Sequence, residues 1–170
     1  MKEKILENRK LIDIVILILV GCILCIPLLN SSVNVYYDDG IQHIARAYGT
    51  YISIIENGLF PNVISSFAND FGYSWNLFYG PLSTYGIILI KLIINNYLIA
   101  YKVFVCIALI FSGITMYKFI FGITKNNDAG ILAGIIYMSF PYHLTDLYSR
   151  NAIRRICIFY FHTTCIFRII

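Results

Sequence analysis

One stretch constrains this chain more than any other: Leu11 to Leu29, LIDIVILILVGCILCIPLL, almost without a polar side chain. About 19 residues at roughly 1.5 Å each reach nearly 30 Å as a helix, the thickness of a bilayer's hydrocarbon. The segment follows a basic head, MKEKILENRK at residues 1–10. Basic flanks stay on the cytoplasmic side, so a cytoplasmic N-terminus is expected. A secretory signal is the competing reading, but the run is long for one and lacks a small-x-small cleavage site. An uncleaved first span is expected, with Asp13 near its inner end reaching the interface.

Composition agrees. The chain has 170 residues, 59% hydrophobic and 13% charged, with a mean hydropathy of +0.74. A soluble domain carries about a quarter charged residues, and a chain this short has much surface to cover. No run of Lys and Arg marks a nucleic-acid surface, so no nucleic-acid partner is expected; the lipid bilayer is. Cys22 and Cys25 lie inside the apolar run, with no second C-x-x-C to complete a zinc site, and read as small buried hydrophobes.

The expected fold is all-α: polytopic membrane helices with a large outer loop of juxtamembrane helices. Residues 30–97 form that loop, rich in Tyr, Trp and Phe. Within it, 81–94 is a short apolar run holding Lys91 that either lies in the interface or spans. Residues 98–121 read as a transmembrane helix, with Lys102 and Lys118 placed to snorkel. Residues 128–143 read as another, with Asp128 as cap and a G-x-x-x-G at Gly130 and Gly134 for close packing. Residues 144–153 follow as a second outer loop. If 81–94 spans, loop 124–128 is outside and Asp146 inside. If it does not, 124–128 is inside and Asp146 shares the outer face with Asp39. Segment length favours the second arrangement.

Three polar constellations stand out. In YYDDGIQHIARAYG, a helix starting at Asp39 aligns Asp39, His43 and Arg46 at i, i+4 and i+7, with Asp38 as a second carboxylate. Such a face suits a metal or an anionic head group, but from spacing alone a solvated helix with a capping Asp is the favoured reading. NDFGYSWNLFYGPLSTY, around Tyr79, joins turn residues to aromatics that pack on lipid or on sugar rings. HLTDLYSRNA holds Asp146 and Arg150 four apart, an ion-pair spacing on a helix.

The order of these motifs, D-G-x-x-H-x-x-R, then G-L-F-P, then G-Y-S-x-x-L-F-Y-G-P-L, resembles bacterial multi-spanning proteins labelled 6-pyruvoyl-tetrahydropterin synthase-related. These lie within the C-type glycosyltransferase superfamily. The likeness runs over about residues 10–153. It implies transfer of a sugar from a polyprenyl-phosphate donor to a cell-envelope acceptor. It implies Asp39, with Asp38 beside it, as catalytic base or metal ligand, and Asp146 as the acidic residue of the second loop and second ligand of a divalent cation. His43, Arg46, Tyr79, Asp146 and Arg150 are then expected around the substrate. The pterin half of the label finds no support, because the three histidines show no compact zinc-ligand spacing. The rival reading is a non-enzymatic multi-pass protein, a transporter piece or an assembly module.

The family continues after R-x-A with Gly-Glu and a further apolar helix. Here residues 154–170 read RRICIFYFHTTCIFRII instead. A/T-rich codons for that stretch, shifted by one nucleotide, are compatible with Gly-Glu, an apolar helix and Pro-Leu. A frameshift just before Arg154 is therefore expected, leaving an N-terminal fragment inactive alone. The sequence of the locus tests it.

Overall fold

A computed structural model describes residues 2–30, 39–153 and 155, with side chains described from residue 9 onward. Asp38 and the tail at 154 and 156–170 lie outside the described residues. The described chain is all-helical, with seven helices and no strand beyond an isolated antiparallel bridge between Ile64 and Tyr73.

Two helices are long and apolar enough to cross a bilayer: Arg9–Asn30, the body of α1 (Lys2–Asn30), and α5 (Tyr97–Thr124). They pack antiparallel. Lys10 Nζ lies 4.7 Å over the Phe121 ring, Tyr117 donates its hydroxyl to Asp13 at 3.3 Å, and Gly21 faces Ile110. One side of α1, with Leu17, Cys25 and Leu28, is buried in this seam. The other side leaves Leu11, Leu19 and Ile23 more than half exposed, an apolar surface that water does not favour and lipid does.

Asp13 does not reach outward as its position suggested. It is buried, and its partner comes from α5. Lys102 is likewise buried rather than extended from the helix end.

The stretch 128–143 is two helices rather than one. α6 (Asn127–Ser139) is 13 residues long, about 20 Å at the α-helical rise. Phe140 is extended (φ −60°, ψ 134°), as a residue before proline prefers, and Pro141 opens α7 (Pro141–Tyr148). The cap of α6 is Asn126, whose side chain accepts from Asp128 N at 2.9 Å and Ala129 N at 3.4 Å. Asp128 ion-pairs with Arg9 instead. The two glycines do let helices close: a Cβ at Gly134 would stand 2.8 Å from the Gly113 carbonyl and 2.9 Å from Leu17, and one at Gly130 would meet Tyr117 at 2.9 Å.

α2 (Gly40–Asn57) is amphipathic and lies against α4 (Leu82–Ile94) and α5. α4 and α5 form a hairpin about Asn95, which takes the left-handed conformation (φ 55°), while Asn96 caps α5 by accepting from Ile99 N at 3.1 Å. Lys91 at the end of α4 sits 4.0 Å over Tyr51 of α2 and 5.3 Å over Tyr97 of α5, joining three helices by cation–π contacts. Between α2 and α4 the chain makes one short turn of helix, α3 (Trp75–Phe78).

These contacts separate the molecule into two ends. Arg9, Lys10, Phe121 and Asp128 gather at one. At the other, the Asp39 N–H donates to the Arg150 carbonyl at 3.3 Å, joining the start of α2 to the turn after α7.

Candidate functional site

The polar groups singled out in the sequence divide into two uses. Asp39 stands at the N-cap position of α2 but makes no side-chain cap bond; its backbone is helical (φ −82°, ψ −12°) and its side chain is exposed. His43, one turn on, is half-buried and stacks on the Tyr101 ring at 6.3 Å. Tyr101 is fully buried and donates its hydroxyl to the Asn151 carbonyl at 3.0 Å. The face that begins at Asp39 thus turns inward along α2.

Arg46 completes that turn, and the structure gives it a different use from the expected one. It is 1% exposed. Its guanidinium donates to the Tyr79 carbonyl at 3.0 Å and the Gly80 carbonyl at 3.5 Å. It also lies 5.5 Å from the Trp75 ring and 5.4 Å from the Tyr79 ring. A fixed, fork-shaped cation suits two neighbouring carbonyls and two ring faces at once. Arg46 is therefore a strut that fastens the segment before α4 to α2. Tyr79 is held by the same contacts, with part of its ring still exposed.

Asp146 lies beside the Asp39–Arg150 contact on α7. Its side chain is fully buried, and neither carboxylate oxygen has a hydrogen-bond partner among the described residues. Two half-exposed guanidiniums flank it: Arg155 Nη1 at 3.8 Å and Arg150 Nη1 at 3.9 Å from Oδ1. Burial pushes its carboxyl above the ordinary carboxylate range, and the charges of Arg155 and Arg150 draw it partly back. The turn that brings Arg150 round is made by the Ser149 and Arg150 N–H groups, both bonded to the Thr145 carbonyl at 3.0 Å. Ala152 N–H then returns to the Asp146 carbonyl at 3.0 Å, with Asn151 between them left-handed (φ 53°).

Arg155 also donates to the Tyr142 hydroxyl at 2.8 Å. Tyr142 lines a shallow cavity of about 300 Å³ with Tyr137, Phe140 and His143. His143 is buried edge-on to Tyr137 at 4.6 Å, and burial lowers its proton affinity below that of a free imidazole. An apolar aromatic hollow thus adjoins a buried carboxyl and two arginines.

No group of three His, Cys, Asp or Glu side chains gathers among the described residues, and Asp146 Oδ1 lies between two guanidiniums. What the site offers is the exposed Asp39 side chain, the buried Asp146 carboxyl and guanidiniums suited to an anion. Sequence reading missed Tyr101 and Asn151, and it assigned Arg155 to the off-frame tail. Tyr101 carried no signal beyond a polar tip in an apolar helix.

Comparison with known proteins finds one relative at length. The chain is 27% identical over 134 residues to a protein described as uncharacterized from Lactococcus lactis subsp. cremoris (strain MG1363). The match covers 77% of this chain and 22% of that relative, so the chain spans about a fifth of its length. No family model and no solved structure matches.

Proposed function

We propose that this chain is the N-terminal part of an integral membrane glycosyltransferase-like protein, transferring a sugar from a polyprenyl-phosphate donor to a cell-envelope acceptor. The observation that carries it is the backbone bond from Asp39 to Arg150. It brings the polar motif of the first loop against that of the second, as a single site for a lipid-borne anionic substrate requires. Asp39, exposed, serves as the base that takes a proton from the acceptor hydroxyl. Arg150, half-exposed, stabilises the departing phosphate. Asp146 orients Arg150 rather than acting on the substrate. Activity, substrates and partners belong to the whole protein, of which this chain matches only a fraction in its relative.

The same reading places the protein in the cell membrane, multi-pass, with the Arg9 end cytoplasmic and the Asp39 end outside. Arg9, Lys10 and Lys125 cluster at the first of these ends, as basic residues do on the cytoplasmic face. Reporter fusions at residue 43 test the orientation, and a cytosolic signal there overturns it.

Sugar transfer in membranes carrying the full-length protein tests the chemistry. Asp39→Asn is expected to lower turnover by at least ~10²-fold, the usual worth of a positioned base. Undiminished transfer removes Asp39 from the mechanism. The burial of Arg46 favours a second reading, a non-enzymatic module whose loop binds a protein. Capture of a protein partner without any binding of polyprenyl-phosphate sugar decides for it.

A further inference from the structure

We propose that Cys25 and Cys106 form a redox-active dithiol, a site of disulfide formation that staples α1 to α5 directly beneath α7. The α1–α5 seam runs antiparallel in register to within one residue: Lys10 meets Phe121, Asp13 meets Tyr117 and Gly21 meets Ile110. The same register, one turn past Gly21, brings Cys25 opposite Cys106. The strongest electrostatic influence on each thiol is the other. Gly21 at the seam lets the helix axes approach closely, because a Cβ there would collide with Ile110. Cys25 is 1% exposed and Cys106 half-buried, both as free thiols, while Cys22 is exposed and off the seam. Among the three described cysteines the pairing is therefore selective for two.

The pair lies under the candidate site. Tyr148, at the end of α7, donates its hydroxyl to the carbonyl of Leu24, the residue before Cys25. Asp146 is two residues earlier in the same helix. A bond between the sulfurs would fix the floor on which α7 rests. Cys25 also lies only five residues before the end of α1, about 7 Å along the axis, within reach of oxidants at that face. That this face is the outer, oxidising one rests on the orientation proposed above; the pairing itself does not.

The reaction is a two-electron oxidation. A membrane-permeant azo compound such as diamide accepts two electrons and two protons at its N=N bond. The two S–H bonds break, one S–S bond forms, and the azo group leaves as the hydrazine.

The test uses the full chain in membranes with Cys22, Cys157 and Cys165 changed to serine. Diamide is added, and free thiols are counted by maleimide-polymer labelling after denaturation. Labelled thiols are expected to fall from two to none, to return with dithiothreitol, and to leave the chain monomeric on a non-reducing gel. In that background Cys25→Ser or Cys106→Ser is expected to keep its one remaining label. Two labels persisting after oxidation, or loss only through disulfide-linked dimers, overturns the proposal. Should the substituted chain misfold, the unsubstituted chain is oxidised and digested. A peptide joining Cys25 to Cys106 by mass supports the staple; its absence refutes it. Thiol counts do not depend on sugar transfer, so either reading can fail while the other stands.

Discussion

Replacing Arg46 by methionine separates a strut from a substrate ligand. The side chain is 1% exposed, so methionine fills most of its volume while removing the charge and the fork. Lost with them are a hydrogen bond to Tyr79 O at 3.0 Å, a long one to Gly80 O at 3.5 Å, and two ring contacts near 5.5 Å. One charge-assisted bond is worth about 1.5–3 kcal/mol, and each ring contact about 0.5–1 kcal/mol. Terms that share a residue do not add in full, so about 3 kcal/mol is expected. Arg46→Lys keeps the charge but not the two-pronged geometry, and about half that loss is expected. The chain contains a single tryptophan, Trp75, which lies against Arg46 and against Phe67, Tyr73 and Tyr79. Its emission therefore reports on this joint alone. In detergent micelles, Arg46→Met should red-shift Trp75 emission under native conditions and lower the denaturant midpoint of its unfolding. Wild-type emission together with a wild-type midpoint would refute the strut.

Gly134→Ala should destabilise by about 1–3 kcal/mol, because the new methyl meets the Gly113 carbonyl, which is backbone and cannot swing aside. Gly80→Ala, with nothing within 4 Å of the added carbon, serves as its neutral control, and equal thermal midpoints would contradict the close α5–α6 seam. Asp146 has a raised carboxyl, so the folded state binds its proton more tightly than the unfolded one. Stability is then full below the ordinary carboxylate range and falls as pH rises through the raised value. Asp146→Asn should remove that slope, and parallel midpoint-against-pH curves between about pH 4 and 8 for variant and wild type would exclude it. Tyr117→Phe should cost about 1 kcal/mol through the lost bond to buried Asp13, read by unfolding in micelles; no loss would mean that the bond contributes nothing net.

The all-helical class was legible because apolar runs decide it. Leu11–Leu29 has no amphipathic alternative, and α4 occupies the apolar run that begins after Pro81. The break between α6 and α7 was also written in the chain, since a residue before proline resists helical geometry and Phe140 obeys that rule. Hydropathy alone hides it, because Phe and Tyr on either side keep the run apolar. What could not be read were partners supplied from far away. The i, i+4, i+7 face at Asp39, His43 and Arg46 looked uniform. Its third member is turned inward by carbonyls 33 and 34 residues later. The meeting of Asp39 with Arg150 and the burial of Asp146 beneath two arginines depend in the same way on how α7 folds back.

The bond between Asp13 and Tyr117 joins residues 104 apart. At about 5–20 residues per second, a ribosome needs roughly 5–20 s to make that interval. Throughout that time the first helix carries a carboxyl whose eventual donor has not yet been synthesised. The bond that buries Asp13 can therefore close only after α5 has been made.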